Sequence, residues 1–235
     1  MAPRPVEQLL PVDERDRIRA AALAEAPRYS PLGHLLISSL SGLIPLSIGL
    51  SLLHQVRLWQ LGFAALVFLL SNAVEWRVHR DVLHKRVRPL ELLYDRHTPL
   101  HHRVYVTDDM AMRDRREFRL VLIPAYGIFL VCLMTLPLFG LLLYLGQRNL
   151  AGLFLATSMG YVVSYEWLHL AYHCPANSFI GRLRIVRFLR RTHAIHHDPR
   201  LMQRWNFNVT LPLWDVLRRT YVRSVEAALA RKAVQ

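Results

Sequence analysis

The chain has very little cysteine, almost no lysine and comparatively few acids. Two cysteines, Cys132 and Cys174, cannot build a disulfide framework. Cys132 lies inside an apolar run, where a buried free thiol is expected. Cys174 directly follows His173, but no second cysteine motif accompanies it, so a thiolate ligand is not expected. Lysine occurs only as Lys85 and Lys232, so arginine carries nearly all of the net charge of +13. The opening stretch MAPRPVEQLLPVDERDRIR lacks the apolar core of a signal peptide, which makes the first apolar run a retained anchor. No RRM, zinc-finger or helix-turn-helix pattern is present. The basic charge therefore points to an anionic membrane face, and no nucleic-acid partner is expected. Internal repeats and low-complexity segments are also missing.

What the chain does have is apolar length. Hydrophobic residues make up 53% and charged residues 20%, with the apolar ones in long runs and the charges between them. The runs cover residues 32–53, 58–73, 120–145 and 150–167. A bilayer core ~30 Å thick needs about 20 helical residues. HQVR is short enough to fold the first two runs into an antiparallel hairpin, and GQRN turns the chain between the last two. Pro45 is expected to kink the first helix. The fourth helix should run on through His173 and stop at Pro175. All Lys and Arg residues except Arg57 and Arg148 then fall on one side of the membrane, which the positive-inside rule makes cytoplasmic. The expected fold is all-α and integral to the membrane, with four transmembrane helices and a cytoplasmic helical cap. Residues 1–30 form a cytoplasmic N-terminal segment and residues 31–235 the membrane domain. Within the first segment, 12–26 suit a short amphipathic helix or a mobile stretch, and 1–11 are expected to be mobile.

Three polar stretches carry helix signals. Thr107, Asp108 and Asp109 offer a cap for a helix over 110–119. In IGRLRIVRFLRR, Ile180, Leu183, Val186 and Leu189 recur every third residue, as in a helix lying among lipid headgroups. In LPLWDVLRRTYV, Leu213, Val216, Leu217 and Tyr221 share one side.

The chemistry is in the histidines. His79 and His84 form one group; His97, His101 and His102 a second; His169 and His173 a third; His193, His196 and His197 a fourth. The first and third groups lie just beyond the end of an apolar run, and all four fall on the predicted cytoplasmic side. Neutral imidazole is the commonest protein ligand for Zn, Fe and Cu. On an α-helix, His169 and His173 share a face, as do His193, His196 and His197, and also His97 and His101. His102 lies about 100° round from the latter pair. His79 and His84 are about 140° apart on an ideal α-helix, which suits two different metals or a helix that ends between them. Ten imidazoles are too many for one ion. Two ions with four to six ligands each use the set naturally and leave positions open for oxygen or water. His34 and His54 stand alone near run ends and are set aside. Carboxylates that could orient an imidazole through its other nitrogen are Glu75, Asp95, Glu166, Asp198 and Asp215. Glu166-x-x-His169 echoes the carboxylate-bridged di-iron bundles, but the second copy and further glutamates of that architecture are missing.

In order, the chain reads HRDVLH, HTPLHH, HLAYH and HAIHH. With the apolar runs and the tail NFNVTLPLWDVLRRT, this resembles the fatty acid hydroxylase/sterol desaturase superfamily over about residues 65–222. The resemblance implies a non-haem di-iron centre held by the ten histidines. It implies O₂ as co-substrate and hydroxylation of the acyl chain of a fatty acid or membrane lipid. Desaturation by the same superfamily is the alternative. Iron is the expected metal, with zinc possible as purified. No haem-binding carrier is fused, so electrons are expected from a separate protein, cytochrome b5-like or ferredoxin-like with its reductase. The arginine-rich, lysine-poor composition leans towards a bacterial inner membrane. A structural zinc protein is a weaker reading. A metal transporter would place its ligands near the bilayer midplane, and a membrane cytochrome would pair histidines deep within two helices. The run interiors here hold neither arrangement.

Overall fold

The computed structural model describes residues 8–124 and 126–233, and what it describes is all-helical. In chain order the helices are α1 Val12–Ala24, α2 Pro31–Ser51, α3 Leu58–Val78, α4 Glu91–Arg96, α5 His102–Val104 and α6 Phe118–Val121. There follow α7 Gly127–Tyr144, α8 Arg148–Tyr172, α9 Phe179–Arg182, α10 Arg184–His196, α11 Leu213–Leu217 and α12 Val225–Ala233. The chain divides into two compact units. One comprises Ser30–Asn72 and Leu122–Trp167; the other comprises Met1–Tyr29, Ala73–Val121 and Leu168–Gln235. Of residues 1–11, expected to be mobile, 1–7 lie outside the described residues.

The first unit is built from the long apolar helices. Ser30 caps α2 by accepting from the Gly33 amide at 3.1 Å, and Pro31 supplies a preset φ at its first turn. The helix continues through Pro45 to Ser51. Three helical stretches are long and apolar enough to cross a membrane: Pro31–Ser51, Leu58–Leu83 and Gly127–Tyr144. The third is shorter than the apolar run 120–145 that contains it. Pro124 breaks that run, because proline lacks an amide donor and disfavours the α conformation of Ile123 before it. The fourth run forms α8, which carries Arg148, Asn149 and Glu166 and is less apolar. It is covered on several sides, with Ala151, Leu153, Leu155, Met159, Tyr161 and Val163 all buried, whereas α7 buries only Ile128 and Thr135. A helix shielded by neighbours needs a less uniform apolar surface than one facing lipid.

Small residues let α2 and α8 approach closely. A Cβ built on Gly152 would lie 2.5 Å from the Gly49 carbonyl, and one on Gly49 would lie 2.7 Å from the Ala156 amide. Both obstacles are backbone, so neither side can give way. Gly152→Val is expected to destabilise the protein by about 1–3 kcal/mol, read as a lower unfolding midpoint in detergent. An unchanged midpoint would show that the two helices do not meet there. Polar contacts fasten the same unit. Asn72 donates to the Tyr161 hydroxyl at 2.9 Å, Trp167 to Ser39 at 3.1 Å, and Asn149 to the His54 carbonyl at 2.7 Å.

The second unit consists of short helices and turns. The helix expected over 110–119 does not form. Val106 and Asp109 close a turn on each other, and Met110 and Met112 pair with His173 instead: the Met112 amide donates to its carbonyl at 2.8 Å. Helical structure restarts at Arg115, capped by Asp114, with the Glu117 carboxylate reaching back to the Asp114 amide. The basic tail breaks at Leu183, giving α9 and α10. Val186 and Leu189 face inward, while Phe179, Ile180, Leu183, Ile185 and Phe188 stay exposed among arginines. In α11 the apolar side is also outward; the buried residue is Asp215.

Candidate metal centre

Two π-helical turns, His79–Leu83 and His97–His101, place the first two histidine groups. A π-helix closes its turn at the fifth residue, so side chains five apart align. His79 and His84 therefore stack, with ring centroids 5.2 Å apart and planes 13° from parallel. His97 and His102, also five apart, meet at 4.6 Å. The α-helical reading that separated His79 from His84 fails here because the turn is wider. In α8 and α10 the ordinary pitch holds: His169 and His173 lie 5.1 Å apart, and His193 and His197 4.5 Å.

The ten rings sort into two groups of five. His79, His84, His97, His102 and His196 form one; His101, His169, His173, His193 and His197 form the other. Within each group the nearest ring nitrogens all lie within 4.8 Å of one another. All ten residues are buried. Neighbours in sequence part company: His101 and His102 enter different groups, as do His196 and His197. Three residues on one side of α10 thus serve both groups. His97 and His101 share a stack at 5.3 Å yet also separate.

Main-chain carbonyls orient the rings. The Nδ1 atom of His101 donates to the Leu120 carbonyl at 2.9 Å, that of His173 to Met110 at 2.8 Å and that of His197 to Tyr105 at 2.8 Å. In the first group, His196 donates to Trp205 at 2.9 Å and His79 to Phe207. The Thr98 hydroxyl gives its own proton to the Leu83 carbonyl, so it accepts from His84 Nδ1 at 2.9 Å. A carbonyl can only accept, which fixes the proton on Nδ1 and leaves a lone pair on Nε2. These lone pairs point at each other. The Nε2 atoms of His84 and His196 are 3.0 Å apart, and those of His101 and His197 are 3.2 Å apart. Neither pair can share a hydrogen bond while its Nδ1 protons stay in place. A cation between the two nitrogens resolves the conflict, so the donor set fits a metal ion in each group.

Burial also keeps the rings neutral and ready to ligate. It holds His84, His97, His102, His173, His193 and His197 well below the usual imidazole value, with neighbouring imidazoles adding to the effect. Burial lowers His101 to about 3 and His196 to about 4.

The candidate carboxylates hold backbone and arginines. Asp215 accepts from the amides of Phe207 at 3.0 Å and Asn208 at 2.7 Å, and from the Thr220 hydroxyl. Glu75 accepts from the next two amides, Val209 and Thr210, and from the Thr210 hydroxyl at 2.6 Å. Four consecutive amides are thus received by two buried acids, and the segment they fix carries the Phe207 carbonyl that orients His79. Asp198 pairs with Arg200 at 2.7 Å, Asp95 with Arg86 at 3.0 Å, and Glu166 accepts from the Ile123 amide at 3.3 Å. Of the two histidines set aside, His34 bonds the Ile123 carbonyl through Nε2 at 2.7 Å, and the His54 main chain pairs with Asn149. The carbonyl partners escape sequence reading because a main-chain oxygen has no residue signature.

Compared with known proteins, residues 64–220 match a family model described as fatty acid hydroxylase. No curated protein and no solved structure matches the chain.

Proposed function

This chain belongs to the fatty acid hydroxylase family, and from that premise we propose that it is an O₂-dependent lipid hydroxylase with two irons, one in each histidine group. The observation that carries the reading is the set of neutral, buried imidazoles whose Nε2 lone pairs converge without hydrogens between them. When bound, the irons would supply reduction of O₂ and attack on an unactivated C–H bond. The protein's part is to hold the rings, six of them through Nδ1, keep them unprotonated and exclude bulk water from them. No side-chain acid or base is needed for that task.

The proposed substrate is the acyl chain of a fatty acid or membrane lipid, reached from the bilayer. Three apolar helical stretches support a membrane protein, and α8 is proposed as a fourth span. Arg57 and Arg148 would then face away from the histidines, which puts the histidine-bearing unit and both termini in the cytoplasm, of a bacterial inner membrane in this reading. A separate cytochrome b5-like or ferredoxin-like protein would deliver electrons. A cysteine introduced at Gln147 should react only with reagent applied from the non-cytoplasmic side; cytoplasmic labelling would overturn the topology. Reconstituted enzyme given a reductant and ¹⁸O₂ should yield a lipid carrying one labelled oxygen atom. A product lacking two hydrogens and unlabelled would move the assignment to a desaturase. Iron-free chains holding zinc, with no oxygen uptake, would leave a structural site.

A further inference from the structure

Helix α1 lies outside the matched residues 64–220, yet it packs against Glu117 and Tyr105, which stand beside the second histidine group. Arg15 and Arg19 sit one turn apart on its inner side, 6% and 5% exposed, the most deeply buried arginines among the described residues. Arg15 pairs with Asp109 at 3.0 Å. Arg19 donates through Nη1 to Asp16 at 2.5 Å and places its Nε 3.3 Å from Glu117, as an ion pair. Three further arginines fasten the helix from the other side. Arg113 pairs with Asp16 at 2.7 Å, Arg116 donates to the Leu23 carbonyl at 3.0 Å, and Arg119 binds Glu25 at 3.1 Å.

Glu117 is the relay. It is 1% exposed. One oxygen accepts from the amides of Arg113 and Asp114 at 2.9 and 3.1 Å; the other accepts from the Tyr105 hydroxyl at 2.7 Å and faces Arg19. Tyr105 is wholly buried. Its carbonyl accepts from His197 Nδ1 at 2.8 Å, and its ring lies 4.6 Å from that of His173 and 5.2 Å from that of His101. His101, His173 and His197 all belong to the second group.

We infer that Arg19, Glu117 and Tyr105 are positioning residues through which α1 sets the coordination of the second metal and not the first. A buried carboxylate needs its counter-charge and its hydrogen bonds together. Removing the guanidinium or the phenol hydroxyl leaves Glu117 to reorganise, and the Tyr105 peptide that orients His197 moves with it. The inference rests on the two-metal reading proposed above.

Cobalt(II) is the probe, since its visible absorption reports coordination geometry and needs no turnover. Metal-free full-length protein in detergent is loaded with Co(II), and release to a chelator is followed at the visible bands. Wild type should release two ions in two phases, and His196→Ala should remove the phase of the first group, which assigns them. In Arg19→Gln and Tyr105→Phe the second-group phase alone should quicken by about tenfold or more, with its band shifted, and Arg19→Lys should return it towards the wild-type rate. If Arg19→Gln does not fold, Tyr105→Phe, which deletes only a hydroxyl, carries the same comparison. Unchanged phases in folded variants would overturn the inference, and so would equal quickening of both, which is general loosening. Wild type that takes up no cobalt would overturn the two-metal reading and this inference with it.

Discussion

His197→Ala is expected to empty the second histidine group, leave metal in the first, and abolish turnover. His197 sits at the middle of its group. Its Nε2 lies 3.0 Å from that of His193 and 3.2 Å from that of His101. Losing a group that merely orients a ligand weakens a metal site by about 10–100-fold, so losing the ligand itself should exceed that. The cavity left by the imidazole would also open a buried, polar interior to water. Metal analysis and oxygen uptake on one preparation read both effects. His34→Ala and His54→Ala are the controls. The first gives up one hydrogen bond to the Ile123 carbonyl, worth about 1 kcal/mol, and should keep both metals and activity. If either control proves essential, the division of the twelve histidines into ten ligands and two others is wrong.

Glu75→Ala should be nearly as severe, by another route. Three donors now end on that carboxylate: the amides of Val209 and Thr210 and the Thr210 hydroxyl. Glu75, Val209 and Thr210 are all buried. Each stranded donor costs about 1–3 kcal/mol, so a loss of about 3–9 kcal/mol is expected, a large share of the stability of an ordinary domain. The damage should concentrate in the first metal group, because residues 205–210 carry the carbonyls that orient His196 and His79. Denaturant midpoints combined with metal content test this. Wild-type stability with normal metal content would remove Glu75 from the support of the site.

The sequence made the ten histidines and the long helices legible because both signals are local. A run of uncharged residues is visible wherever it falls, and imidazoles three to five residues apart are visible as a pattern. What it did not make legible depended on the path of the backbone. At α-helical pitch HRDVLH sets its histidines on different sides, whereas the π-turn aligns them. HAIHH looked like one set of three, yet His196 leaves its neighbours for the other group. Residues 110–119 carried a good helix cap, but the partner of Met110 and Met112 is His173, more than sixty positions away in the chain. Glu75 and Asp215 were recognisable as candidate supports. That each holds two successive amides of one loop could only be seen once the loop was in place.

The π-turns also bear on how far the spacing of these motifs can drift. A π-turn is an α-turn with one residue added. Deleting a single residue between His79 and His84, such as Val82, would return that turn to α pitch with the two imidazoles four apart, the spacing that already serves His169 and His173. The pair would stay on one face, and the slack would be absorbed by the connector after it. Histidine pairs of four and of five are then interchangeable spellings of one geometry, and a change in length at these motifs is no sign that the site has been lost.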